Sequence, residues 1–214
     1  MQWFMLLVAL LSLSHPVWAR SRVDIGLFSQ ADTAGWSIKS FDGNTDYRIQ
    51  QQSGQTFLVA QSEQSASAFY RSIKVDLTET PVLNWSWQKL STLNPGDESV
   101  KQGDDFVARI YVIKKAGLLF WKTRAINYVW SYQHPRGAQW ENPFAGTNAK
   151  MLSQRDATDA ADQWFHEKRN IVDDFKRLHG IDIDEIDGVA IMTDSDNSGL
   201  GARAAYGDIY FSAE

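Results

Sequence analysis

Residues 190–199 read AIMTDSDNSG and set Asp194, Asp196 and Ser198 at alternate positions ahead of Gly199. Hard oxygen donors at positions one, three and five, with glycine at six for the sharp turn, form the first half of a calcium loop. The twelfth position counted from Asp194 is Ala205, where an EF-hand needs a bidentate glutamate, and the flanking segments read as strands. The stretch is therefore no EF-hand. A half-loop completed by Asp208 or by a distant carboxylate would hold calcium. The alternative is a polar hairpin turn, because Asp, Asn, Ser and Gly are the residues that turns select.

Asp104, Asp105 and Arg109 form a second group. If 104–113 is one strand, Asp105, Val107, Arg109 and Tyr111 share one face, and Phe106, Ala108, Ile110 and Val112 share the other. Asp105 and Arg109 would then stand about 13 Å apart, so each needs a partner from a neighbouring strand. A guanidinium fork and a carboxylate suit the adjacent hydroxyls of a sugar; a turn cap with a cross-strand ion pair is the structural alternative. Trp85 and Trp87 share a face, as do Tyr128, Trp130 and Tyr132, and such rings either stack on a pyranose or fill a core. Trp121 and Trp140 sit in loop-like surroundings, where exposed contacts are expected. The ligand contacts expected on these grounds are Trp85, Trp87, Asp105, Arg109, Tyr111, Tyr128, Trp130 and Trp140, and the metal ligands are Asp194, Asp196, Ser198 and Asp208.

Covalent and metal catalysis find little support. His134, His166 and His179 follow no zinc-site spacing, and there is no G-x-S-x-G elbow. No catalytic residue is assigned. A carboxylate pair for glycoside hydrolysis, or a lyase base beside a cation, stays open, because the fold and not the spacing sets such separations.

The elements that must position these groups read mainly as strands: 56–61, 67–77, 82–90, 104–113, 125–133, 187–194 and 204–212. Residues 157–179 switch to helical spacing, with Trp164, Ile171, Phe175 and Leu178 on one stripe and Gly180 as a stop. On that helix Arg169 and Asp173, and Asn170 and Asp174, stand four apart and are expected to pair. The order predicts a mainly β, antiparallel, jelly-roll-like sandwich with one amphipathic helix near residues 157–179.

Residues 1–19 carry no charged side chain, have an apolar run from Trp3 to about Leu13, and end in Val17 and Ala19, as a cleaved export signal does. The run falls short of the roughly 20 apolar residues of a membrane span. Residues 20–214 suit one domain, in a periplasmic or secreted location, with no transmembrane segment after cleavage. A net charge of −5 argues against a nucleic acid partner. The absence of cysteine leaves the core alone to hold the fold.

The phrases VLNWSWQ, KQGDDFVARIYV, INYVWS, EKRNIVDDF, GVAIMTDSDNSG and AAYGDIYF, in this order over residues 23–212, resemble a bacterial domain of unknown function, the family numbered 3047. That resemblance implies an exported or periplasmic β-sandwich and brings no established activity. Three functional expectations follow. The first is a non-catalytic module that recognises a glycan or another polyhydroxylated ligand and is stabilised by calcium. The second is a carbohydrate-active enzyme, hydrolase or lyase, on the same fold. The third is an envelope structural or assembly protein with a protein partner.

Overall fold

The computed structural model describes residues 21–115 and 123–214. The export segment expected at 1–19 and Trp121 lie outside the described residues. No helix among the described residues is long and apolar enough to cross a membrane.

Among the described residues, thirteen strands build two sheets. In chain order they are β1 (Arg22–Gly26), β2 (Trp36–Asp42), β3 (Asp46–Gln52), β4 (Gln55–Glu63), β5 (Ala66–Asp76), β6 (Val82–Lys89), β7 (Arg109–Lys114), β8 (Arg124–Trp130), β9 (Gln139–Asn142), β10 (Gly146–Arg155), β11 (Phe165–Asn170), β12 (Glu185–Met192) and β13 (Gly201–Ser212); one helix, α1 (Ile171–His179), lies between β11 and β12. The first sheet runs β11-β6-β13-β4-β3, with β1 also paired to β13, and the second runs β2-β5-β12-β7-β8-β10-β9. Pairing is antiparallel except for β8 with β10, which is parallel. The sandwich is thus as the strand pattern predicts, with one departure from a purely antiparallel scheme.

Period-two alternation explains which face each strand buries. In β6, Leu83, Trp85 and Trp87 turn into the core while Ser86 faces out. In β8, Ile126, Tyr128 and Trp130 turn in. Their rings meet between the sheets: Trp85 lies edge-on to Trp87 at 5.5 Å and contacts Tyr128 at 5.4 Å, and Trp87 contacts Trp130 at 5.7 Å. Trp85, Trp87, Tyr128 and Trp130 are at most 3% exposed. The expectation that they offer ring faces to a ligand is corrected: they are the mortar of the sandwich, and burial of this much apolar surface is what a domain without disulfides depends on.

The helix lies inside the expected span but takes only its last part. Residues 165–170 alternate instead, with Glu167 and Arg169 turned inward and His166 and Lys168 outward, so they pair with β6 as a strand. Asn170 then caps α1 by accepting from the Asp173 amide, and Gly180 closes it in a left-handed conformation. The expected i,i+4 pairs do not form because Arg169 and Asn170 precede the helix. Arg169 instead reaches Asp174, donating from Nε at 2.7 Å, while Tyr128 donates to the same carboxylate at 2.7 Å and Arg177 at 2.7 Å. Burial works to raise the Asp174 carboxyl, and these donors outweigh it and hold the group below its ordinary value.

Candidate functional site

Two places gather polar side chains from distant parts of the chain. The first lies at one end of the sandwich. Residues 104–108 are not a strand; β7 starts only at Arg109, so Phe106 packs with Val129 and Met151 on the outer side of the second sheet while Val107 and Ala108 join the main core. This places Asp105 under the 194–199 turn. Its carboxylate accepts from the Asn197 amide at 3.2 Å, from Asn197 Nδ2 at 3.0 Å and from the Ser198 amide at 2.6 Å. The turn is no hairpin: β12 belongs to the second sheet and β13 to the first, so 193–200 crosses between layers.

Arg109 is 2% exposed and grips Asp194 like a fork, with Nε donating to Oδ1 at 2.9 Å and Nη2 against Oδ2. Its Nη2 also donates to the Asp104 carbonyl at 3.1 Å, and Nη1 lies 3.6 Å from the Asp104 carboxylate. Asp105 and Arg109 do not pair with each other, but the strand spacing expected between them does not apply, since 104–108 is irregular. Tyr111 points to the same side, with Arg109 5.8 Å from its ring, and burial pushes its hydroxyl up to about 12.

One carboxylate oxygen from each of Asp105, Asp194 and Asp196 lies within 4.8 Å of the others, so these three could hold a metal ion. Calcium accepts six to eight oxygens at about 2.3–2.6 Å, which such spacing allows. Asp196 Oδ1 and Ser198 Oγ are buried without a hydrogen-bond partner. Burial, and then the charge of Asp105, raise the Asp196 carboxyl above its ordinary value. Asp208 does not complete this set. It sits elsewhere, accepting from the Ser29 amide at 2.8 Å and from Ser29 Oγ at 2.7 Å.

The second place is where Asp208 does lie, a cleft of about 800 Å³ across the outer face of the first sheet. Four strands supply its floor and walls: Gln55 and Phe57 from β4, Asn84 and Ser86 from β6, His166 and Lys168 from β11, and Asp208 and Tyr210 from β13. Trp164 enters just before β11 and stands edge-on to Phe57 at 5.4 Å. A register shift between Tyr206 and Ile209 marks a bulge in β13, which turns Asp208 outward to Ser29. Gly207 lets the floor close up, since a Cβ there would meet Ser86 Oγ at 2.2 Å. Phe57, Ser86, Trp164, His166, Lys168 and Tyr210 are site residues beyond those the sequence singles out; for His166 and Lys168 the alternation of FHEKRN is a signal, which the helical spacing over 157–179 masks.

Trp140, expected to be an exposed contact, is half-buried and stacked on His134 at 4.1 Å on the far side of the molecule's second sheet.

Residues 34–210 match the family described as protein of unknown function (DUF3047). The chain belongs to this family. No curated protein matches the DUF3047 chain. Among solved structures, a family 11 carbohydrate-binding module from Clostridium thermocellum, in complex with a β-1,3-1,4-mixed-linked tetrasaccharide, aligns with a TM-score of 0.49 at 9% identity over 91% of this chain and 96% of that one. The family 11 module of the cellulosomal cellulase Lic26A-Cel5E of Clostridium thermocellum gives 0.47 at 10% identity, over 91% and 95%. The xyloglucanase domain of NopAA, a type three effector from Sinorhizobium fredii, in complex with cellobiose, gives 0.44 at 13% identity, over 85% and 95%. Each is a distant resemblance in overall layout.

Proposed function

We propose that this DUF3047 protein is a glycan-binding module and that the cleft on the outer face of the first sheet is its binding site. The observation that carries the reading is the composition of that cleft. Trp164, half-buried over Phe57, gives apolar surface for the face of a sugar ring, with the Tyr210 ring at the other end of the cleft, and Gln55, Asn84, Ser86 and His166 stand around them as hydrogen-bonding groups. Its volume falls within the usual range of ligand sites, about 300–1,000 Å³. Binding is favoured over hydrolysis because the two carboxylates that line the cleft do not face one another across it. Asp208 is held by Ser29, and Glu167 is turned inward.

The export pattern of residues 1–19 supports recognition outside the cytoplasm, by a single domain over 20–214. A hard cation, calcium by the all-oxygen donor set, would sit between Asp105, Asp194 and Asp196 and brace the crossing between sheets. That part is tested by unfolding in EDTA and in millimolar calcium: a rise in midpoint that Asp196→Asn removes supports it, and no rise with any divalent ion rejects it.

The binding reading is tested by calorimetric titration of residues 20–214 with a panel of neutral and acidic oligosaccharides. Saturable binding that Trp164→Ala abolishes, with the melting curve preserved, is the expected result. Binding that survives Trp164→Ala and Tyr210→Ala, or no binding across the panel, rejects the cleft.

A further inference from the structure

The charges in the cleft are not equally available. Three ionisable side chains of fixed sign line it: Asp208, Glu167 and Lys168. Asp208 accepts two hydrogen bonds from Ser29, which engage both of its oxygens. Glu167 faces the interior, where Oε1 receives Trp87 Nε1 at 3.1 Å and Arg155 Nε at 2.5 Å, and Oε2 receives Gln154 Nε2 at 2.6 Å. It is 6% exposed. Lys168 is exposed on the β11 wall, and among the described residues no carboxylate pairs with it. His166 stands two residues away on the same face. At the Tyr210 end, Arg22 lies over the ring at 3.8 Å and is paired with Asp24 at 2.5 Å. Glu167 is therefore paired inside the protein and both oxygens of Asp208 are engaged by Ser29, though Asp208 keeps its charge, while Lys168 on the opposite wall is free to meet a ligand.

From this we propose that the ligand is an acidic glycan, one that carries uronate carboxylates, and that Lys168 is the contact for a ring carboxylate while Trp164, backed by Phe57, packs against the sugar. This rests on the cleft being the glycan site. The chain as a whole carries −5. A polyuronate is repelled by most of such a surface, so a local free cation beside the aromatic wall is the feature that makes docking selective. A lysine ammonium suits this role because its three donors swing on a flexible stem and follow a carboxylate whose position varies along the polymer.

The test titrates residues 20–214 with oligogalacturonate, oligoalginate and hyaluronan fragments, beside neutral cello- and xylo-oligosaccharides, at low and at moderate salt. At least one acidic oligomer is expected to bind, about fivefold or more tighter than its methyl-esterified form. Lys168→Gln should erase that difference and flatten the salt dependence, leaving the residual affinity of the ester. Trp164→Ala should abolish both. Equal binding of acid and ester, binding of neutral oligomers only, or an acid preference that persists in Lys168→Gln overturns the inference. If neutral oligomers bind and Trp164→Ala removes that binding, the cleft stands and the acidic ligand alone fails. If no oligomer of either kind binds, both fail.

Discussion

Arg109 offers the sharpest test of how the end of the sandwich is held. Around it stand four carboxylates, Asp104, Asp105, Asp194 and Asp196. Burial opposes the charge of Arg109, but the carboxylates of Asp104, Asp105 and Asp196 around it outweigh burial and hold the guanidinium charged. Replacing it with leucine leaves Asp194, 1% exposed, without its counter-charge. Removing one partner of a buried pair costs about 3–5 kcal/mol, because the remaining charge is stranded. In a domain of this size each kcal/mol moves the midpoint by about 2–4 °C, so the fall should be about 6–20 °C. The double variant Arg109→Leu/Asp194→Asn removes both members of the closest pair and should recover part of that loss, since Asp194 no longer strands a charge while Asp104, Asp105 and Asp196 still lack the guanidinium. Urea unfolding followed by near-ultraviolet circular dichroism, in EDTA, reads both. A single variant that loses less than about 1 kcal/mol would refute the reasoning, as would a double variant that is less stable than the single one.

Three further outcomes follow from the same geometry. Gly207→Ala sets a Cβ 2.2 Å from Ser86 Oγ and 3.5 Å from Trp164 Cζ3; Ser86 must swing aside, so oligosaccharide affinity should fall about two- to tenfold, the worth of one hydrogen bond, while urea stability changes by less than about 1 kcal/mol. An unchanged affinity would place the ligand elsewhere. Trp164→Ala should remove a fluorescence component that responds to oligosaccharide, because, of the other described tryptophans, Trp36, Trp85, Trp87 and Trp130 are buried in the core and Trp140 lies away from the cleft, on the outer side of the second sheet; a response that remains in the variant would contradict the cleft. Asp174, held below its ordinary 3.8, contributes stability that is complete above that value and is lost as pH falls through its folded-state value. Asp174→Asn should therefore lower stability at neutral pH and flatten the acid limb below about pH 3.8 in urea titrations; an unaltered limb would mean that other carboxylates dominate acid unfolding.

Much of the scaffold was legible because its signals are local. Strands β4, β5, β6, β8, β12 and β13 alternate or run apolar between polar turns, and the period of two assigns their faces without knowledge of any neighbour. The edge strands β2 and β3 are polar and largely exposed, so they carry little pattern. The helix was overextended because Trp164, Ile171, Phe175 and Leu178 happen to fit a helical stripe, and pairing with β6 outweighs that spacing at 165–170. At the end of the sandwich, the strand expected over 104–113 begins only at Arg109, so its spacing could not place Asp105, and the partner of Arg109, Asp194, comes from 85 residues away. The cleft was hidden for the same reason. Its four strands are far apart in sequence, and single residues such as Ser86 and Lys168 have no pattern of their own until the sheet sets them side by side.

The division of labour along β6 has an evolutionary consequence. Leu83, Trp85 and Trp87 face the core while Ser86 faces the cleft, and β11 and β4 repeat the scheme with Glu167 beneath His166 and Lys168, and Leu58 beside Phe57. Recognition and folding are thus written in alternate letters of the same strands. Drift in the outward letters can retune what the surface captures without repacking the interior, so the scaffold is free to diversify its ligands one substitution at a time. Gly207 is the exception among the cleft positions, because a Cβ there would meet Ser86 Oγ at 2.2 Å and Trp164 at 3.5 Å, so the floor has no room for a side chain. It is the position where this freedom ends.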